Sequence, residues 1–164
     1  MLSLKNKILF SLIIAITFLS LTLIVMAPKN NFPPLKFNNS FSPQDIASPS
    51  DWVKEEQIKV YPNQIILNVK DATWATFTPT GSMKPILDEK TNALEIKPSS
   101  PNDIKLGDII AYESPEGIII HRVIEKNIDE NGIYFLVKGD NNFSQDPTKI
   151  RFENIKGVVI AIIY

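Results

Sequence analysis

The chain predicts an all-β domain held behind an N-terminal membrane anchor, and three observations carry that prediction. From residue 58 onward the apolar residues come in short β-branched runs, turn residues separate those runs, and no long helical periodicity survives beyond one uncharged N-terminal stretch. At roughly 150 residues per domain, 164 residues leave room for one folded unit.

The elements follow in order. Residues 1–7 carry Lys5 and Lys7 and read as a cytoplasmic N-terminus. Ile8 to Met26 (ILFSLIIAITFLSLTLIVM) runs for about 19 residues without a charge, which at about 1.5 Å per residue spans roughly 28 Å, close to the hydrocarbon core of a bilayer. A secretory h-region is shorter, about 7–15 residues, so residues 8–26 read as an uncleaved signal anchor. The competing reading is a cleaved signal peptide, because Val25-Met26-Ala27 loosely places small residues at alternate positions. Lys5, Lys7 and the α-amino group precede the span and only Lys29 follows closely, which puts the N-terminus inside and everything after Ala27 outside. The expected location is the cell membrane, single-pass, with an extracytoplasmic domain.

Residues 27–57 read as an extracytoplasmic tether. Pro28 to Pro49 is rich in Pro, Asn and Ser, and Ser50-Asp51 before WVKEEQ resembles a capped short helical turn. Strands are expected at IKVY, QIILNV, WATFT, ALEI, DIIAYE, GIIIHRVIE, IYFLVKG and GVVIAIIY, with turns at Pro62-Asn63, Asn102-Asp103, Pro115-Glu116-Gly117, Asn131-Gly132 and Asp140-Asn141-Asn142. Residues 58–164 are therefore expected to form a compact β-barrel or sandwich. The closing GVVIAIIY is too short to span a bilayer and reads as a strand buried on both faces.

Composition narrows the chemistry. The chain has no cysteine, which removes disulfides, thiolate nucleophiles and cysteine-ligated metals. Its one histidine, His121, cannot build a His-rich metal centre. A net charge of -1 with 21% charged residues offers no basic field for nucleic acid. No metal or cofactor is expected.

Three segments can carry chemistry. In Thr78-Pro79-Thr80-Gly81-Ser82-Met83-Lys84-Pro85 a serine follows a glycine between two prolines, a stiff turn in which the Ser82 N–H can face a developing oxyanion and Thr80 can supply a second donor. An ordinary turn has the same composition. A serine nucleophile needs a base, and the candidates are His121 or a desolvated lysine, Lys84 or Lys138. Alternation in GIIIHRVI puts His121 on one face with Ile119 and Val123, and Arg122 on the other with Ile120 and Ile124. A core histidine bonded to a backbone carbonyl would look alike. Finally, Gly139 to Pro147 presents Asp140 and Asp146, either of which can support an imidazolium, or form a solvated turn.

In order and approximate spacing, Gly81-Ser82-Met83 with Pro85, Leu106-Gly107-Asp108-Ile109-Ile110, His121-Arg122-Val123, and Lys138-Gly139-Asp140-Asn141 with Asp146 resemble the type I signal peptidase family. The resemblance covers about Trp74 to Tyr164, and a histidine where bacterial members place lysine is similar to the archaeal and endoplasmic-reticulum branch. It implies a membrane-bound serine endopeptidase that cleaves signal peptides from exported preproteins. Ser82 would be the nucleophile, His121 the general base, and Asp146, or alternatively Asp140, the carboxylate behind it. Thr80 would assist the oxyanion with the Ser82 N–H, and Phe77, Met83, Pro85 and Ile86 would line the substrate groove, with Trp74 beside them. Implied partners are signal-peptide-bearing preproteins, the lipid bilayer and the protein-export machinery. The chain departs from the family in a tether of about 55 residues between anchor and Ser82, and in ending at Tyr164 without the C-terminal helix that relatives use to join a larger complex, which favours a self-contained enzyme. The rival expectations are a narrow-specificity processing peptidase of the same fold, and an inactive membrane-tethered domain that binds extended peptides.

Overall fold

A computed structural model describes residues 46–164, and these belong to one compact unit that runs from Pro43 to Tyr164. The expected anchor at 8–26 and most of the tether lie outside the described residues. Among the described residues no helix is long and apolar enough to cross a membrane.

Among the described residues nine strands form two sheets: β1 (Ile58–Tyr61), β2 (Gln64–Leu67), β3 (Thr73–Thr76), β4 (Asn92–Ile96), β5 (Ile109–Ser114), β6 (Gly117–Asp129), β7 (Gly132–Lys138), β8 (Ile150–Arg151) and β9 (Ile155–Ile163). The all-β expectation is met. β1 and β2 pair only with each other, while the other seven run in the order β3-β4-β9-β5-β6-β7-β8 with every pairing antiparallel. No closed barrel forms among the described residues, because β3 and β8 stand at opposite ends of the sheet order.

Local chemistry explains the strand boundaries. The β5–β6 hairpin turns at Pro115-Glu116, with Ser114 opposite Gly117. The β6–β7 hairpin turns at Glu130-Asn131, where Gly132 takes the positive φ of +97° that an L side chain resists. β6 runs on to Asp129, past the expected end at Glu125, because pairing with β7 continues through Lys126, Asn127 and Ile128, although the polar Glu125-Lys126-Asn127 interrupts the apolar signal. β9 begins earlier than expected, at Ile155, and the two-residue β8 was not foreseen. The helical turn is a single 3-10 turn at Glu55–Gln57, later than the Ser50-Asp51 cap implied, with the Lys54 N–H donating to Gln57 Oε1 at 2.9 Å.

Alternation divides the sheet's apolar residues between two cores. One holds Ile104, Ile110, Tyr112, Val123, Phe135, Val137, Ile150, Ile155 and Val158, with Trp52 and Ile119 packed against it. The other holds Met83, Leu87, Ala93, Ile109 and Val159, with Phe77 and Ile120 against it. Full burial of each such aliphatic or aromatic side chain contributes about 1.5–3 kcal/mol, so these clusters are what fix the loops around them. The serine loop is tied down by Met83 and Leu87 in the second core. The segment before the helical turn is tied down by Trp52 in the first.

That segment lies as a strap over Gly107 and Asp108, just before β5. The Ser50 N–H donates to Asp108 Oδ1 at 2.7 Å, and the Lys105 N–H donates to Asp108 Oδ2 at 2.8 Å. Gly107 is required beneath it: a Cβ there would stand 2.2 Å from the Ser48 carbonyl oxygen.

Candidate active site

The serine loop and β6 face each other across a cleft of about 420 Å³. One wall is formed by Thr76, Phe77, Thr78, Thr80, Gly81 and Ser82, and the other by Glu116, Ile118, Ile119, Ile120 and His121, with Met83, Leu87, Asp88 and Asn142 completing the lining. The structure thus brings Ser82 and His121 into one concavity, together with Thr80, Phe77 and Met83. Pro85 and Ile86 are not part of that lining. Pro85 is exposed, and Ile86 packs on the second core and accepts a hydrogen bond from the Tyr164 hydroxyl at 2.6 Å. Trp74 is 71% exposed, its indole N–H donating to Asn92 Oδ1.

His121 lies on β6, 6% exposed, and its Nδ1 stands 2.7 Å from Asp146 Oδ2. An ionised carboxylate only accepts, so pairing with Asp146 in that form assigns the proton to Nδ1 and leaves Nε2 as the ring's acceptor. Tyr112 on β5 donates its hydroxyl to that same Asp146 oxygen. Burial first, and then Asp146 itself, push the Tyr112 phenol far above its ordinary range, so it stays protonated and keeps the O–H that it donates.

Asp140, the alternative to Asp146 behind the imidazole, pairs with Arg122 instead. Its carboxylate accepts from Arg122 Nε at 2.8 Å and Nη2 at 2.7 Å, a bidentate pair in which both side chains are under 10% exposed. Arg122 Nη1 donates to the Gly107 carbonyl at 2.8 Å and the Ala47 carbonyl at 3.3 Å, so this ion pair joins the strap to the loop after β7. Asp140 therefore shapes that loop, and Asp146 is the carboxylate at the imidazole.

The same loop grips the serine. The Asn141 N–H donates to the Ser82 carbonyl at 2.8 Å and its Nδ2 donates to the Gly81 carbonyl at 3.1 Å. Gly139 permits the approach, since a Cβ there would stand 2.6 Å from the Ser82 carbonyl oxygen. At its far end the Asp146 N–H donates to the Val137 carbonyl at 2.9 Å. One loop thus positions both the serine backbone and the carboxylate behind the histidine.

The Ser82 hydroxyl pairs with Thr80 Oγ1 at 3.3 Å, and the Ser82 N–H reaches the same atom at a long 3.5 Å. No hydrogen bond joins Ser82 to His121 among the described residues. Neither Lys84 nor Lys138 lines the cleft.

One wall has an open edge. β6 pairs with β7 only from Arg122 onward, so Gly117–His121 bonds to β5 on one side and presents unpaired backbone on the other. Thr76, the last residue of β3, and Phe77, Thr78 and Thr80 beyond it form the opposite wall. A cleft bounded by free strand edge accepts an extended chain through main-chain hydrogen bonds.

No protein-family model matches this chain, and no solved structure matches it. Over 50 residues it is 44% identical to an uncharacterized protein of Methanocaldococcus jannaschii, a match covering 30% of this chain and 25% of that protein. The chain thus spans about a quarter of the length of the curated relative that it matches. Among the described residues no group of acidic or histidine side chains is arranged to hold a metal ion.

Proposed function

We propose that this chain is a membrane-anchored serine endopeptidase of the signal peptidase type, cutting signal peptides from exported preproteins at the outer membrane surface. The observation that carries the reading is His121, held through Nδ1 by Asp146 and lining the same cleft as Ser82. In the reaction, Ser82 Oγ attacks the scissile carbonyl while His121 Nε2 takes its proton. Asp146 stabilises the imidazolium, and the Ser82 N–H and Thr80 hydroxyl meet the oxyanion. The imidazolium then protonates the leaving amine, and a water deprotonated by His121 hydrolyses the acyl-enzyme. Hydrogen bonds at such sites are commonly long before substrate arrives, which accommodates the Ser82–Thr80 pairing of the free protein.

The open edge at Gly117–His121 suits an extended substrate. Phe77, Met83, Leu87 and Ile120 give the cleft an apolar lining, and the resemblance to signal peptidases implies small side chains one and three residues before the cut. Trp74, Ile163 and Tyr164 leave large surfaces exposed, and rings with a polar tip suit a membrane interface.

The test uses the full chain in detergent with a preprotein bearing an Ala-x-Ala site. A single cut after the last alanine, located by mass spectrometry, is expected. Folded protein that leaves the preprotein intact, yet binds it, would favour a peptide-binding domain.

A further inference from the structure

Tyr112 takes no part in the scheme above, yet its position is specific. It is 2% exposed inside the first core, where a phenylalanine would fill the same apolar space. A buried hydroxyl must find a partner, and this one donates to Asp146 Oδ2, the oxygen already bonded to His121 Nδ1. The two rings lie 6.5 Å apart between centroids at 57°. The hairpin register sets this up: Ile110 is opposite His121 and Tyr112 opposite Ile119, so alternation turns Tyr112 to the same side of the sheet as His121.

We infer that Tyr112 is a positioning residue that limits how strongly Asp146 stabilises protonated His121, so that the imidazole returns to the neutral, base-competent form at lower pH. The inference rests on the proposed function only in naming His121 as the base. Two donors on one carboxylate oxygen share its charge, and each is held less strongly than it would be alone. Without the hydroxyl, Asp146 would offer more of its charge to the imidazolium, and His121 would hold its proton to higher pH. The other ionisable groups that line the cleft with His121 are Glu116 from the β5–β6 turn and Asp88 from the serine loop, and Arg122, next to His121 on β6, pairs with Asp140. All remain when only Tyr112 is changed.

His121 is the sole histidine, so its ring gives a single NMR titration in the full chain in micelles. Tyr112→Phe should raise the midpoint by about half a pH unit or more, and Asp146→Asn should lower it. Replacing the tyrosines with 3-fluorotyrosine, a stronger donor of the same shape, should lower it too and covers the case in which Tyr112→Phe does not fold. A midpoint unmoved in folded Tyr112→Phe or in the fluorinated protein overturns the inference. The titration needs no turnover, so an inactive protein whose midpoint moves as stated would refute the peptidase reading and leave this one standing. In an active protein, the acid limb of kcat/KM should move with the NMR midpoint, a shift that a purely structural role would not produce.

Discussion

Removing the Asp140 carboxylate tests how the candidate site is held together. In Asp140→Ala, Arg122 loses two hydrogen bonds, at 2.8 and 2.7 Å, while its guanidinium remains in a buried position. Breaking a buried pair by deleting one partner typically costs about 3–5 kcal/mol, against about 0–1 kcal/mol for an exposed pair. Arg122 keeps its bonds to the Gly107 and Ala47 carbonyls, so the charge is not wholly stranded and the lower end, about 3 kcal/mol, applies. At roughly 2–4 °C per kcal/mol for a chain of this size, Tm should fall by about 6–12 °C. The assay is thermal unfolding of the full chain in detergent, followed by tryptophan fluorescence, since Trp52 packs against the first core. Asp140→Asn keeps one acceptor oxygen and should lose less. A loss below about 1 kcal/mol in Asp140→Ala would show that the pair behaves as a solvated one and would refute the reasoning.

Gly139→Ala should leave the β-sheet circular dichroism intact but sharply reduce preprotein cleavage, because the new Cβ would stand 2.6 Å from the Ser82 carbonyl oxygen and push loop and serine apart. Unchanged cleavage would contradict that contact. Glu95 is 8% exposed with Oε1 lacking a partner, and burial raises its carboxyl above the usual 4.5. The folded state therefore binds its proton more tightly than the unfolded one, and this stabilisation is lost as pH rises through the raised value. Glu95→Gln should accordingly unfold at a higher temperature than the parent at pH 8, with the advantage fading below pH 4.5; an equal gain at both would refute it. Asp129 behaves oppositely: Lys149 first, then Arg151, hold its carboxyl at about 2 against the usual 3.8. Its stabilisation is present above 3.8 and lost as pH falls through 2, so the Tm gap between parent and Asp129→Asn should close over that window.

Most strands were legible because their apolar residues are β-branched and bounded by turn residues, as GIIIHRVI and IYFLVKG illustrate. Closure into a barrel was not, since it depends on whether β3 and β8 meet, and no local pattern encodes that. The strap was hidden too: Ser48 and Ser50 read as tether, and their fit over Gly107 and Asp108 is a contact between residues 58 apart in the chain. At the site, Ser82 and His121 stood out by residue type and by motif. The partners of the two aspartates did not, because Gly139 to Pro147 has no periodicity from which side-chain directions can be read. Arg122 carried a usable signal, a lone cation in an apolar run that must find a buried anion. Tyr112 carried another: with the hairpin turn at Pro115-Glu116 in place, alternation alone puts it on the histidine's side.

The proposed role of Ser82 is that of nucleophile in a preprotein-cleaving enzyme. Its most direct test is cleavage of an Ala-x-Ala preprotein by the full chain beside Ser82→Ala, with the His121 resonance used to verify that both are folded. The substitution should lower the cleavage rate by at least about a thousand-fold while the His121 signal persists. Cleavage at the parent rate by folded Ser82→Ala would contradict it.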